Sequence, residues 1–147
     1  MCVPCLPTLE VARVETRERL FRRYAPTGTT VEVRTYHSVG GGFITDDFET
    51  TEEALVLTAS RFTAHGAGLP ASYQPGENWR NGPDAFSLGG RRRVIRSILL
   101  RVSEKNENPL RVGKPTDNRQ GESSPVLGPG LYEIGIYRRS LLSWALP

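Results

Sequence analysis

An alternating run that ends in three glycines restricts the fold more than any other part of this sequence. Residues 29–36 alternate valines with charged side chains, which is the two-residue period of a strand with one buried face. Gly40, Gly41 and Gly42 follow, and residues without a Cβ adopt positive φ angles at no steric cost. The pattern predicts a strand over 29–36 that ends in a glycine turn.

The glycine turn is also a candidate ligand site. Successive glycine N–H groups can cradle a carboxylate or a phosphate, so the candidate ligand-binding residues are Ser38, Gly40, Gly41 and Gly42. The stretch has neither the Gly-Lys-Ser/Thr of a P-loop nor the G-x-G-x-x-G of a dinucleotide site. A bulge or turn between two strands explains the same glycines without a ligand, and both interpretations stay open.

Three segments favour helices. Residues 9–24 carry apolar side chains at helical spacing between charged faces. Thr50 and Glu53 have the spacing of a capping box, which predicts a helix over 52–62 and explains the acidic residues around it without a metal ion. Residues 91–104 fit either a helix or a strand that is apolar on both faces, and we favour the helix.

The remaining segments complete the predicted fold. Residues 131–137 alternate like a second strand, whereas 64–90 and 105–130 are rich in turn formers and predict long loops. The chain has 15 glycines and 11 prolines, so loops are numerous. We expect one α+β domain over 1–147, with a small, mainly antiparallel sheet, two or three helices and a frayed terminus over 1–8.

The segment RTYHSVGGGFITDD resembles part of a known enzyme family. With the preceding TTVEV and the Pro-Thr-Gly turn at 26–28, it is similar to the end of the β domain of iron–sulfur-dependent L-serine dehydratases. The matching residues are Tyr36, Ser38, Val39, Gly40, Gly41, Gly42 and Phe43. The resemblance implies a partial or truncated relative of that domain, which would bind a small amino acid or carboxylate.

The same resemblance limits the activity that the chain could have. Members of the family use a [4Fe-4S] cluster, which needs thiolate ligands, and this chain has only Cys2 and Cys5, both at its N-terminus. The resemblance implies a [4Fe-4S] cluster, but because the cysteine ligands are absent we expect no cofactor in this chain. It implies lyase activity only with a missing α domain or an α subunit as partner; self-association into a homo-oligomer is a further possibility.

A basic segment supports a different hypothesis. Between residues 91 and 119 there are nine basic and three acidic side chains. On a helix, Arg92 and Arg96 would lie one turn apart, and together with Arg93 and Arg101 they are candidate nucleic-acid-binding residues. No helix-turn-helix, zinc-finger or RNA-recognition signature accompanies them. The alternative interpretation of these arginines is a solvated basic surface. For the whole chain, a structural or partner-binding protein without a small ligand is a further alternative.

The net charge and the cysteines bear on the partners, the metal sites and the cellular location that the chain could have. The net charge of +3 and the pI near 9.1 favour anionic partners without selecting one. Cys2 and Cys5 form a C-x-x-C pair, but no further ligands at zinc-site spacing follow, so we predict no metal site. No apolar run reaches the roughly 18 residues of a membrane span, and no secretory signal is visible. We therefore expect a cytoplasmic protein that does not contact membranes.

Overall fold

The structure is almost entirely antiparallel β-sheet. In the computed structural model, residues 5–63, 75–83, 85–113 and 125–144 are described, with the backbone alone for Arg91. They form ten strands and a short 3₁₀ helix at Leu141–Trp144. The strands are β1 (Cys5–Arg13), β2 (Arg19–Tyr24), β3 (Thr30–His37), β4 (Gly42–Thr50), β5 (Leu55–Phe62), β6 (Asn78–Asn81), β7 (Phe86–Ile95), β8 (Ser97–Val102), β9 (Leu110–Val112) and β10 (Gly130–Ser140).

The strands form two sheets. One has four strands in the order β2-β1-β10-β8, and the other has six in the order β6-β7-β5-β4-β3-β9. β1 and β10 pair over their whole common length, from Cys5 opposite Ser140 to Arg13 opposite Tyr132. The two ends of the described chain therefore lie side by side in the centre of the smaller sheet, and the long middle segment builds the larger one.

One hydrophobic core lies between the two sheets. The smaller sheet contributes inward-facing residues such as Leu9, Ile134 and the fully buried Tyr132, and the larger sheet contributes residues such as Val31 and Leu55. Inward residues on β1, β3 and β10 recur at every second position, as the pleat of a strand requires. The arrangement is a sandwich of two sheets around a shared apolar layer.

Several contacts and connections join the two sheets. On one side, the Arg23 guanidinium Nη1 donates a hydrogen bond of 2.9 Å to the carbonyl oxygen of Val112, which links β2 to β9. On the other side, the chain passes from β7 to β8 across the single residue Arg96. A strand that bends from one sheet into the other in this way forms a corner of the sandwich.

The prediction of an α+β fold is wrong. The described residues contain no helix of seven or more residues, whereas two or three helices were expected. The antiparallel sheet was expected and is present, and it extends over all three segments that were assigned to helices. The strands predicted over 29–36 and 131–137 are confirmed as β3 and β10. Residues 5–8, which fall in the terminus expected to fray, form the beginning of β1.

The helix predicted over 9–24 is two strands and a turn. Leu9 and Val11 point into the core, whereas Glu10 lies between them on the opposite face. The chain reverses after Arg13, whose amide N–H donates to the carbonyl oxygen of Glu18. The apolar side chains that have helical spacing in the sequence lie on both sides of this turn, so they do not belong to one element. Pairing of β1 with β10, remote in sequence, outweighs the local helical pattern.

The other two predicted helices are also strands. Residues 52–62 contain the turn between β4 and β5, in which the amide N–H of Ala54 donates to Thr51 Oγ1, and the capping box of Thr50 and Glu53 is not formed. Leu55, Val56 and Leu57 are all buried, as in a central strand covered on both faces. Residues 91–104 form the end of β7 and all of β8.

Candidate functional site

The triple glycine forms the tip of the hairpin between β3 and β4. His37 and Gly42 are the last paired residues, and the N–H of Gly41 donates to the carbonyl oxygen of His37 at 2.9 Å. The N–H of Gly40 donates to Nδ1 of the same histidine at 3.1 Å. Gly41 has a φ of +65°, which a residue with a Cβ rarely adopts. The glycines are thus explained by the turn.

The tip brings Ser38, Gly40, Gly41 and Gly42 together, but its donors are engaged. The N–H groups of Gly40 and Gly41 both point at His37, so they are not directed towards an external anion. Val39, in the middle of the tip, is 76% exposed, and an added Cβ at Gly41 would meet no atom within 4 Å. Such an open tip encloses no ligand, and binding at these residues stays a prediction.

The candidate arginines lie along a bent strand instead of a helix. Arg92 and Arg93 belong to the end of β7, Arg96 is the corner residue, and Arg101 is near the end of β8. All four are exposed. We call residues 91–102 the arginine edge; this stretch contains five arginines and no acidic residue. The structure therefore keeps the four candidates on one continuous segment, although not on one helical face.

The arginine edge differs from the rest of the molecule in how its charges are paired. The side chains of Arg92, Arg93, Arg96 and Arg101 form no hydrogen bond and no ion pair with any residue that the structure describes. Most other described arginines have such partners, namely Arg13, Arg19, Arg22, Arg23, Arg61, Arg111, Arg138 and Arg139. Four guanidinium groups on one segment are thus available to an external anion.

The backbone of the arginine edge is available as well. β5 pairs with one side of β7 up to Ile95, and β6 covers the other side only along Phe86–Gly89. β8 pairs with β10 and is the last strand of its sheet. No strand among the described residues lies against the outer side of 90–95 or 97–102. An unpaired side of this kind presents N–H and C=O groups to whatever approaches.

Two apolar side chains on the arginine edge were not identified from the sequence. Val94 is 68% exposed and Leu99 is 66% exposed, so neither contributes to the core. The signal was present, because residues 91–104 are apolar on both faces when they are read as a strand. The helical interpretation assigned Leu99 to the buried stripe and therefore concealed an exposed apolar residue between charged ones.

Other charged clusters lie away from this edge and are internally paired. On the larger sheet, Arg61 Nη2 contacts Glu32 Oε2 at 2.7 Å and Asp47 Oδ1 at 2.9 Å. These side chains line a groove of about 640 Å³ together with Arg111, which lies 3.8 Å from Glu32. Burial raises the pKa of Asp47, and the neighbouring Glu32 and Asp46 raise it further, whereas Arg61 lowers it without cancelling the rise.

Side chains that could bind a metal ion are not clustered in the described part of the chain. The described residues contain no group of three or more His, Cys, Asp or Glu side chains placed to hold a metal ion. Cys5 is exposed at the start of β1, and Cys2 lies outside the described residues. None of the described residues forms a helix with the length and the apolarity that a membrane crossing requires.

Comparison with known proteins places the chain in a family. The profile of a family described as Domain of unknown function (DUF1850) matches residues 31–117, more than half of the 147 residues. The chain belongs to this family. The DUF1850 match runs from β3 through β9 and includes the whole arginine edge. Neither the curated proteins nor the solved structures contain a match.

The resemblance to L-serine dehydratases is wrong. The family that matches is DUF1850, and nothing in the comparisons points to a serine dehydratase. The segment TYHSVGGGFI is instead a hairpin whose glycines permit a tight reversal between β3 and β4. Tight turns in unrelated proteins need glycine for the same steric reason, so a short glycine-rich match carries little information about ancestry.

Proposed function

We propose that this DUF1850 chain is a binding domain whose arginine edge recognises acidic groups of a partner protein. The observation that carries the proposal is the contrast in pairing between the four arginines of this edge and those elsewhere. A guanidinium group binds carboxylates through a planar fork of N–H donors. The side chains of Arg92, Arg93, Arg96 and Arg101 are exposed and form no ion pair or hydrogen bond with described residues, so binding would not first have to break an internal ion pair.

The arrangement supports a protein partner over a nucleic acid. Val94 and Leu99 interrupt the row of arginines with exposed apolar surface, which suits a protein surface better than a row of phosphates. The arginine edge contains no aromatic side chain on which a base could stack. Nucleic acid remains the alternative partner for the same arginines, and the experiment below separates the two.

The test compares two probes of equal length, a labelled polyglutamate peptide and a labelled oligo(dT). Fluorescence anisotropy is measured with the unchanged chain and with the double variant Arg92→Gln and Arg96→Gln. We expect the peptide to bind and the variant to bind it about tenfold more weakly, since each exposed charge contact is worth up to about 1 kcal/mol. The affinity should also fall as salt is added.

The control variant removes the same charge from elsewhere. Arg111 and Arg138 are 45% and 46% exposed and are paired with Glu32 and Glu52. Changing both to Gln should leave peptide binding within about twofold of the unchanged chain. Equal losses in the two double variants would show that net charge alone is measured and would contradict the proposal. Binding of oligo(dT) without binding of the peptide would assign the edge to nucleic acid.

A further inference from the structure

We infer that the acidic partner binds as an extended strand added to the outer side of β8, continuing along the end of β7. This inference rests on the proposed function and specifies how the partner is bound. An added strand would form main-chain hydrogen bonds to the unpaired edge, and its side chains would lie beside those of β8. β8 has six residues, so the added segment needs about the same length.

The charges on the strands identify the kind of segment. The four strands at the edges of the two sheets are β2, β6, β8 and β9, with the sequences RLFRRY, NWRN, SILLRV and LRV. Each contains arginine and none contains an acidic residue. Two copies of this chain that paired edge to edge would therefore oppose like charges, which destabilises a sheet. The complementary occupant is an acidic segment of another protein.

The side chains of β8 indicate the pattern of that segment. Leu100 and Val102 point into the core, whereas Leu99 and Arg101 point to the solvent on the outer face of the sheet. Residues two apart on an added strand would lie beside these two side chains. An extended segment that alternates acidic and apolar residues places its carboxylates on this outer face, near Arg101, and its apolar side chains on the opposite face, on the side of Leu100 and Val102.

The corner at Arg96 extends the contact beyond β8. Arg96 separates β8 from the end of β7, and no described strand pairs with the side of that end which faces away from β5. Towards its beginning, β7 is covered by β6, and the backbone oxygen of Gly76 lies close to Gly90. The open edge therefore begins after Gly90, and an added strand would reach no further in that direction.

The experiment uses two peptides with the sequence Glu-Val repeated three times, with both termini capped. One has ordinary peptide bonds, and the other carries an N-methyl group on every residue, which removes the N–H donors from both edges of the peptide and keeps the charge. We expect the methylated peptide to bind about tenfold more weakly. Hydrogen exchange should show that the ordinary peptide slows exchange of amides within residues 91–102, with no slowing in β2 or β9.

The outcomes separate this inference from the proposed function. Equal binding of both peptides, abolished in the Arg92→Gln and Arg96→Gln variant, would overturn strand addition and leave acidic recognition in place. No binding of either peptide or of polyglutamate would overturn both proposals. In that case the arginines serve only to keep the exposed edges from pairing, a common role of charged residues on edge strands. Slowed exchange at β2 instead of 91–102 would also overturn the inference.

Discussion

Arg139 and Glu10 form a two-pronged ion pair across the centre of the smaller sheet. Arg139 Nε and Nη2 each donate a hydrogen bond of 2.8 Å to one carboxylate oxygen of Glu10, whose side chain on β1 is only 7% exposed. Arg19 lies 3.8 Å from the same carboxylate. The pair links β10 to β1 on the outer face, opposite the hydrophobic core, so it ties the two ends of the described chain together.

Changing Glu10 to Gln should destabilise the fold by roughly 2–3 kcal/mol, because the buried carboxylate loses its charge and Arg139 loses the acceptor of one of its two hydrogen bonds. Burial by itself raises the pKa of Glu10, but the hydrogen bond and charge of Arg139, with Arg19 and Arg22, hold it below its usual value. The stabilisation is then complete above the unfolded-state pKa of about 4.3 and disappears as the pH falls through the lower folded-state pKa. Urea unfolding between pH 2 and 7 measures both effects.

The control for Glu10 is Glu104→Gln, since Glu104 is exposed at the turn after β8. This variant should differ from the unchanged chain by less than about 0.5 kcal/mol at every pH. If the Glu10 variant behaved in the same way, the Arg139 contact would have no part in stability.

The contribution of Asp47 to stability should depend on pH in the opposite direction to that of Glu10. Its pKa in the folded protein is raised, chiefly by burial, so the folded state holds a proton more tightly than the unfolded chain. The contribution of Asp47 to stability therefore falls as the pH rises through that raised pKa. Asp47→Asn removes this loss, so the variant should gain stability relative to the unchanged chain as the pH rises through the ordinary Asp pKa of about 3.9 and above it. Parallel stability curves over this pH range would refute the assignment.

Two glycines with positive φ angles, Gly90 within β7 and Gly41 at the hairpin tip, should respond differently to alanine. Gly90 has a φ of +78°, and a Cβ there would clash with the backbone oxygen of Gly76, so Gly90→Ala should lower the free energy of unfolding by more than about 2 kcal/mol. Gly41 also has a positive φ but meets no atom, so its alanine variant should cost about 1 kcal/mol. Gly128 has neither restriction, and Gly128→Ala serves as the control. Thermal unfolding should rank the three variants in this order.

The stability of the fold should depend on the hydroxyl group of Tyr132. The ring is fully buried, its OH donates to the carbonyl oxygen of Gly128 at 2.8 Å, and Arg13 Nη2 donates to the same OH at 3.0 Å. Tyr132→Phe leaves both partners without this oxygen and should lower the free energy of unfolding by about 1–2 kcal/mol. Tyr36→Phe is the matched control, with an expected change below about 0.5 kcal/mol. Equal stability of the two variants would mean that water replaces the hydroxyl at Gly128.

Part of the candidate site could be identified from the sequence. The basic residues Arg92, Arg93, Arg96 and Arg101 were recognised because local charge requires no knowledge of the fold. Their pairing state was not accessible, since the acidic partners of other arginines are remote in sequence. Arg139 and Glu10 are separated by 129 positions, and Arg61 and Glu32 by 29. No local pattern reports such contacts.

The sequence by itself determined the strands whose alternation is uninterrupted. Residues 29–36 and 131–137 each show one apolar and one polar face, because each lies in a sheet with one side on the core, and this two-residue period is a local property. The hairpin reversal at Gly41 was likewise readable, since positive φ favours glycine.

Only the tertiary structure decided that residues 9–24, 52–62 and 91–104 form strands and turns instead of helices. Their apolar residues satisfy a helical stripe and a strand almost equally well, so local preference does not separate the two. The choice depends on pairing partners far along the chain, such as β10 for β1 and β8. Hydrogen bonding and burial against those partners stabilise the strand more than an isolated helix could be stabilised. The same pairing leaves one side of residues 91–102 open, and so creates the edge to which we assign binding.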